Sequence, residues 1–572
     1  MRILLLCHAF NSLSQRLYSE LAARGHRLSV EYDIADTVAE EAVALFRPEL
    51  IIAPYLRRAI PESIWRRHCC LIVHPGIVGD RGASALDWAI QDGERTWGVT
   101  VLQATGEMDG GPVWAAETFP MRRAKKSSLY RHEVSEAATR AVIRAVERFT
   151  AGGFVPAPVD DADPAIRGRA RPTMKQADRA IDWQQDGTAR ILARLNAADG
   201  FPGVADELFG EPCLLFDGSP EDTLRAGKPG EVIAWRETAI LRATVDGAVW
   251  IGHLRRRAAV DSLKLPATQV LAEQLATIPE APLDSYSPSA GRTWQDIRYE
   301  EAGRVGFLHF DFYNGAMNTR QCRRLQAAYR WAQQRPVRVL VLMGGRDHWS
   351  NGIHLASIEA AESPADESWA NINAIDDLAE AIITSADQIT VAALQGNCGA
   401  GGCFLARAAD LVWARAGVLL NPHYRNMGNL YGSEYWTYLL PARVGSEGAQ
   451  AIMRDRLPMS AAAGVAAGFL DACLTGDAEA FRIDVARRAA ELAAAPDFAV
   501  RLQAKRAQRL ADEAAQPLAS YRAAELAEMQ RNFYGFDPSY HVARFHFVHK
   551  TPNSWTPRHL AIHRDLGWSV PQ

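Results

Sequence analysis

Short apolar runs separated by helical stretches occur in two blocks along this chain, and that alternation limits its fold more than any other feature. RILLL (Arg2 to Leu6), LSVEY, ELIIAPYL and LIVHP read as buried strands in the first 155 residues; VGFLHFDF, VRVLVLMGG and QITVAALQG do so beyond Thr293. After the first run, Leu13, Leu17 and Leu21 recur every four residues until Gly25, which predicts an amphipathic helix with a glycine stop. Strands and helices in this rhythm predict α/β units with doubly wound, parallel sheets. In such sheets ligands gather at the carboxyl ends of the strands. The first strand-to-helix turn, CHAFNSLSQ, has no GxGxxG, so a dinucleotide pyrophosphate has no close backbone approach there.

The stretch between the blocks is different. A helix is expected from about Thr188 to Ala198, then the turn GFPG (Gly200 to Gly203) and several short β-like runs, which together suggest a small β-barrel. A Pro/Ser-rich linker follows. The expected domains are residues 1–165, 170–275 and 293–495, with a linker at 276–292 and a helical extension at 496–572. Lys+Arg number 63 against 67 Asp+Glu, so no basic surplus recruits nucleic acid. No apolar run approaches the roughly 20 residues of a membrane helix. The opening apolar stretch is too short for a signal peptide. Eight scattered cysteines form neither a disulfide framework nor a zinc signature. A cytoplasmic multidomain enzyme is expected, without nucleic-acid or membrane partners.

The first chemical constellation joins His74, at the end of LIVHP, to Asp109, in the glycine-rich turn GEMDGG. A carboxylate beside an imidazole orients it and stabilises its protonated form. Val73-His74-Pro75 and Met108-Asp109-Gly110-Gly111 resemble motifs of the formyltransferases that use 10-formyltetrahydrofolate. ADRAIDW (Ala177 to Trp183), the helix carrying Asn196 and GFPG look like the C-terminal barrel of methionyl-tRNA formyltransferase. The resemblance covers about the first 270 residues. It implies a Rossmann-like formyltransferase core followed by an OB-like β-barrel, with His74 as proton shuttle and Asp109 orienting it. It also places the folate beside Gly76, Ile77, Val78 and Gly79. One departure stands out: the family asparagine falls on Ile72, which has no hydrogen-bonding group. In the family that amide helps hold the tetrahedral oxyanion, and one such donor is worth ~3 kcal/mol.

A second constellation lies in YNGAMNTRQCRRL, RDHWSNGIHLASI and LQGNCGAGGCFLARAADLVWA. These resemble, in order, three landmarks of the crotonase (enoyl-CoA hydratase/isomerase) family, and imply its ββα-superhelix fold. The resemblance assigns the oxyanion-hole N–H groups to Ile353 and Gly401; glycines permit the close approach such a site needs. The family's two catalytic carboxylates fall on Phe404 and about His423, and its aspartate in the earlier turn on His354, so ordinary hydration of an enoyl-CoA is not expected. The polar candidates in the aromatic run that follows are His423, Tyr424, Arg425, Tyr431, Glu434 and Tyr435. Tyr424 and Glu434 are the acid/base choices, because a charge inside an apolar run needs a reason.

A formyl-donor site joined to an acyl-CoA site implies formyl-CoA as the shared intermediate. A formyl thioester has no carbon from which to form an enolate, so hydrolysis or loss of CO remains. The architecture as a whole resembles maturation factors of [NiFe]-hydrogenase. That resemblance implies formyl transfer from 10-formyltetrahydrofolate to coenzyme A and decarbonylation of formyl-CoA. The CO would become an iron ligand, and hydrogenase maturation proteins or the hydrogenase large subunit would be partners. The pantetheine arm of coenzyme A spans ~15–20 Å if extended like a peptide, and a passage between the halves is expected to carry it. Two alternatives stay open: a hydrolase of formyl-CoA or formyltetrahydrofolate that releases formate, and a non-catalytic scaffold binding coenzyme A and folate. Arg122, Arg123, Lys125 and Lys126 read as a solvated basic stretch, with coenzyme A phosphate as the other reading. The tail histidines His541, His546, His549, His559 and His563 lack neighbouring Cys or acidic ligands in sequence, and no metal is expected.

Overall fold

The computed structural model describes residues 1–160, 162–257, 261–283 and 285–565. The chain divides into two compact units, one formed by residues 1–281 with the returning C-terminal segment from 552, the other by residues 282–551.

In the first unit β1 (Arg2–Cys7), β2 (Arg27–Tyr32), β3 (Leu50–Tyr55), β4 (Cys70–His74), β5 (Thr96–Gln103) and β6 (Val113–Pro120) form one sheet in the order β2-β1-β3-β4-β5-β6. The first four strands are parallel, as their helical connections require, whereas β5 is antiparallel to both β4 and β6. The short turn carrying Asp109 joins β5 to β6 and leaves no room for the crossover that a parallel pair needs. Leu13, Leu17 and Leu21 of the helix Ser12–Ala23 are buried, and Asn11 caps that helix by accepting from the Ser14 N–H at 3.0 Å. Leu4, Leu6, Ile51 and Ala53 pack against Ala39, Val43 and Phe46 of the helix Asp36–Phe46.

A second sheet in this unit is antiparallel throughout. It consists of β7 (Val204–Leu208), β8 (Glu211–Glu221), β9 (Val232–Arg236), β10 (Ala239–Ala243) and β11 (Ala248–Arg256), ordered β7-β8-β11-β10-β9, with β12 (Leu265–Pro266) beside β11. Among the described residues β7 and β9 do not pair, so the sheet is open and not the closed barrel expected from the spacing of its strands. The helix Thr188–Ala198 covers its apolar face in place of closure: Ile191, Leu195 and Ala198 cluster with Val204, Leu215, Ile240, Val249 and Ile251.

The C-terminal segment returns to cover β2. The Val30 N–H donates to the Leu560 carbonyl at 3.0 Å, and the Tyr32 N–H to Thr556 Oγ1 at 2.9 Å. The carboxylate of Glu31, an apparent misfit in a core strand, is there for His563, Arg564 and Thr556.

The second unit winds its strands into two sheets. β13 (Ile297–Ala302), β14 (Val305–Phe310), β15 (Val339–Leu342), β17 (Ile389–Leu394), β19 (Leu411–Arg415) and β22 (Ala472–Leu474) form the larger in that order. β16 (His348–Ser350), β18 (Asn397–Gly399), β20 (Leu419–Asn421) and β21 (Met459–Ser460) form the smaller. Each of the pairs β15/β16, β17/β18 and β19/β20 therefore gives one strand to each sheet, which is the ββα superhelix. The passage from β17 to β18 needs Gly396, where a Cβ would fall 2.6 Å from the Arg346 carbonyl oxygen. Helices Thr319–Gln333 and Pro364–Ile383 pack on this core, followed by the C-terminal helices Phe498–Ala515, Leu518–Tyr534 and Ser539–His549. Among the described residues no helix is long and apolar enough to cross a membrane.

Candidate functional site

Each unit builds one candidate site. In the first, β4 ends on His74, whose side chain is almost wholly buried. Its Nδ1 lies 3.4 Å from Asp109 Oδ2, so the structure does bring the two expected residues together. Asp109 is left-handed (φ 52°), and its Oδ2 also accepts from the Gly82 N–H at 3.1 Å. That conformation turns the carboxylate back over the sheet end, a common use of αL for Asp.

Sequence reasoning missed Asp80. It is fully buried, with Oδ1 3.1 Å from His74 Nε2 and Oδ2 3.2 Å from Arg171 Nε. The imidazole therefore has a carboxylate near each nitrogen, Asp80 within hydrogen-bonding distance at Nε2 and Asp109 slightly farther at Nδ1. A charge in the glycine-rich run GIVGDRG was a signal that could have been read. Arg171, arriving from far along the chain, gave none. Gly76 is required here, because a Cβ would collide with the His74 ring and fall 2.9 Å from Asp80 Oδ1. Thr100 Oγ1 and Trp97 Nε1 donate to the carbonyls of Gly76 (2.8 Å) and Pro75 (2.9 Å), fixing the start of the loop. Gly79 (φ 84°) turns the loop against the 166–168 segment, leaving Ile77 and Val78 half-buried. Ile72 packs with the apolar cluster under β4 that includes Leu56 and Trp65.

Of the basic stretch Arg123 is exposed, but the other three side chains are paired within the fold. Arg122 pairs with Glu133, Lys125 with Asp217, and Lys126 with Asp87 at 3.0 Å. Burial holds the Lys126 ammonium below its ordinary range, against the pull of Asp87. The coenzyme A phosphate reading for these three side chains loses its support, since their charges are spent inside the fold. The tail histidines are used structurally as well: His541 Nε2 lies 2.9 Å from the Phe533 carbonyl, His549 pairs with Glu359, and His563 with Glu31. Among the described residues no three metal-binding side chains gather.

In the second unit the turn before Ile353 and the start of the helix Gly401–Arg407 touch. A Cβ added to Gly352 (φ 75°) would lie 3.3 Å from Gly401 N. The Gly352 N–H is held by Ser350 Oγ (3.1 Å), and its carbonyl accepts from the Met317 N–H (2.9 Å), which fixes the direction of the next peptide. His354, in place of the family aspartate, caps a helix by accepting from the Ser357 N–H at 3.0 Å. Gly401 has no room for a side chain because the Glu434 carboxylate occupies the space.

Glu434 is 1% exposed, and its Oε2 lies 2.5 Å from the Tyr424 hydroxyl. The Tyr424 oxygen is also 2.9 Å from the Ser433 carbonyl, so with a proton on Glu434 both contacts are hydrogen bonds, Glu434 to Tyr424 and Tyr424 to Ser433. Burial, then the neighbouring Asp376, push the Glu434 carboxyl up to about 8, with the Tyr424 bond opposing. Burial and Glu434 drive the Tyr424 hydroxyl well above its ordinary value. Both shifts favour the protonated forms of the pair. Phe404, where the hydratase family has an acid, is stacked on the Tyr424 ring at 5.4 Å and 18°. His423 is buried beside them, Arg425 is exposed, Tyr431 is half-buried against Trp436, and Tyr435 is buried behind the site.

The fold and these two sites define a class of chain, a formyl-transferring module fused to an enoyl-CoA hydratase-like one. The sequence patterns of three families match it: formyl transferase over residues 24–146, the formyl transferase C-terminal domain over 173–263, and enoyl-CoA hydratase/isomerase over 314–556. Over 235 residues it is 26% identical to the methionyl-tRNA formyltransferase of Trichlorobacter lovleyi, covering 41% of this chain and 71% of that one. The hydrogenase maturation factor HoxX of Bradyrhizobium diazoefficiens is 55% identical over 564 residues, 99% of this chain and 97% of its own. The crystal structure of HypX from Aquifex aeolicus in complex with tetrahydrofolic acid superposes with a TM-score of 0.96 at 48% identity, covering both chains fully. The chain belongs to the HypX/HoxX family of hydrogenase maturation factors.

Proposed function

We propose that this chain makes carbon monoxide for [NiFe]-hydrogenase maturation in two steps, with coenzyme A and 10-formyltetrahydrofolate as substrates. In the first, the coenzyme A sulfur bonds to the formyl carbon, the bond from that carbon to the folate nitrogen breaks, and the thiol proton passes to the nitrogen. His74 moves that proton, Asp109 orients the ring, and the loop Gly76-Ile77-Val78-Gly79 lies beside the folate. The buried imidazole between two carboxylates supports this assignment, and so does the bound tetrahydrofolic acid of the HypX relative.

In the second step the N–H groups of Ile353 and Gly401 polarise the formyl carbonyl. Protonated Glu434 gives its proton to sulfur as the C–S bond breaks. Its carboxylate, held by the Tyr424 hydroxyl, takes the formyl hydrogen as a proton. The balance is one formyl-CoA to one CO and one free thiol, with Glu434 restored. The observation that carries this reading is the buried Tyr424–Glu434 pair lying against Gly401. A group of raised pKa beside an oxyanion hole suits proton donation to a leaving thiolate. Phe404 adds to it, since it keeps an acid and its water out of the place where a hydratase needs them.

Purified protein with coenzyme A and 10-formyltetrahydrofolate should yield formyl-CoA by mass spectrometry and CO trapped on deoxyhaemoglobin. Formate without CO would support a hydrolase, and neither product a scaffold.

A further inference from the structure

The segment Ser433-Glu434-Tyr435 is bent in a way its residues resist. Glu434 and Tyr435 are consecutive non-glycine residues with φ of 58° and 60°. Such conformations cost of order 1–3 kcal/mol each and persist only where their surroundings impose them. Two buried carboxylates from separate helices impose this one. From the helix Pro364–Ile383, Asp376 Oδ1 accepts from the Glu434 N–H at 2.8 Å and Oδ2 from Ser433 Oγ at 2.7 Å. From the C-terminal helix Leu518–Tyr534, Glu525 Oε2 accepts from the Tyr435 N–H at 2.9 Å. Glu525 Oε1 accepts from the Thr437 N–H at 2.8 Å and Oγ1 at 2.5 Å. The two carboxylates thus take up three backbone N–H groups of one turn.

Resting on the decarbonylase reading above, we propose that Asp376 and Glu525 are positioning residues of that reaction. They clamp the left-handed turn so that the Glu434 carboxyl is delivered onto Gly401, where the formyl carbonyl is held. The C-terminal helix is then part of the reaction centre's framework. The clamp also sets the charge around Glu434. Facing it are the Tyr424 hydroxyl, Asp376, Glu525 and the Cys322 thiol of the helix Thr319–Gln333. The nearby cation, Arg522, is 4.0 Å from Asp376 and binds Asp377 (2.7 Å) and Glu380 (3.1 Å) more closely. Two acidic neighbours with little compensating charge favour the proton on Glu434. Burial and Asp376 push Glu525 itself up to about 8.

The test uses the full chain with formyl-CoA added directly, and reads CO release against pH. Glu434→Gln is the reference: retained CO release there sinks the decarbonylase reading itself. If Glu434→Gln is inactive, Asp376→Asn and Glu525→Gln decide the clamp. Each keeps the shape of its side chain while removing charge, and the alkaline limb should move down by roughly one pH unit. Glu525→Ala should lower kcat at least about tenfold, the loss expected when a turn costing this much is released, with KM nearly unchanged. Formyl transfer in the first unit should persist in every variant. Unchanged limbs and kcat overturn the proposal. If these variants fail to fold, the milder Thr437→Val and Ser433→Ala, which each remove one side-chain bond to the clamp, decide: a lowered kcat with KM unchanged supports it, and unchanged kcat and pH profile overturn it.

Discussion

Replacing Tyr424 with Phe removes one hydroxyl and little else, because the ring stays stacked on Phe404. Two hydrogen bonds are lost, to Glu434 Oε2 (2.5 Å) and the Ser433 carbonyl (2.9 Å). For stability the cost is that of leaving buried acceptors unmatched, about 1–3 kcal/mol. In the proposed decarbonylation the hydroxyl holds the carboxylate that forms when Glu434 gives up its proton. Loss of one such donor in a buried site is worth about 3 kcal/mol, or on the order of a hundredfold in kcat. A second signature separates this from general damage. The Tyr424 bond lowers the Glu434 pKa, so its removal should move the alkaline limb of CO release above about 8 while the plateau falls. The assay supplies formyl-CoA and follows CO on deoxyhaemoglobin between pH 6 and about 9.5, with formyl-CoA synthesis as an internal control. A plateau within threefold of wild type, or a limb that moves to lower pH, would refute the assigned role of Tyr424.

Asp109→Asn should lower formyl-CoA synthesis by about 10²–10⁴ and leave CO release from added formyl-CoA intact, both read in the same chain. Ile72→Asn, which restores the family residue, should not speed that synthesis. It should lower stability by about 1–3 kcal/mol in chemical denaturation, because the amide would enter the apolar cluster under β4. Glu434 and Glu525 have folded-state pKa values raised from 4.5 to about 8, so between these pH values the folded chain holds protons that the unfolded chain has released. Their contribution is therefore full below pH about 4.5 and lost as the pH rises through about 8. The second unit should unfold at lower urea at pH 9 than at pH 5, less steeply so in Glu434→Gln. The double variant His563→Ala, Arg564→Ala leaves Glu31 buried with its charge uncompensated, and should cost the first unit about 3–5 kcal/mol in urea unfolding.

Much of this was legible in sequence because it depends on local periodicity. The leucine spacing gave the helix Ser12–Ala23, and the apolar runs gave β1, β3, β4, β14, β15 and β17. The Thr188–Ala198 helix followed from the same pattern. What could not be read depends on contacts between distant segments. An open sheet and a closed barrel share the same short strands, and differ only in whether β7 meets β9. The antiparallel direction of β5 was hidden because its middle is buried like that of the parallel strands, and strand direction depends on the connection and not on the residues. Tyr424 and Glu434 could be singled out as polar residues in an apolar run, but their 2.5 Å bond and the collision of Glu434 with any side chain at 401 could not. The basic stretch misled, since the partners Glu133, Asp217 and Asp87 come from different parts of the chain.

The departures from the parent families share a physical logic. At both sites an expected polar group is replaced by an apolar one, Ile72 under the first and Phe404 in the second, and a buried carboxyl group held by residues distant in sequence stands nearby. At the first, Asp80 lies at His74 Nε2 and is itself paired with Arg171. At the second, Glu434 enters from a turn fixed by Asp376 and Glu525. Neither an isoleucine nor a stacked phenylalanine offers water a hydrogen-bonding partner. A thioester of formate is open to hydrolysis wherever an activated water can reach its carbonyl. In the proposed decarbonylation, Phe404 in place of an acid, with one protonated carboxyl against the carbonyl, favours a path that needs no water. On that proposal the phenylalanine that looks like decay beside the hydratases fits release of CO in preference to formate.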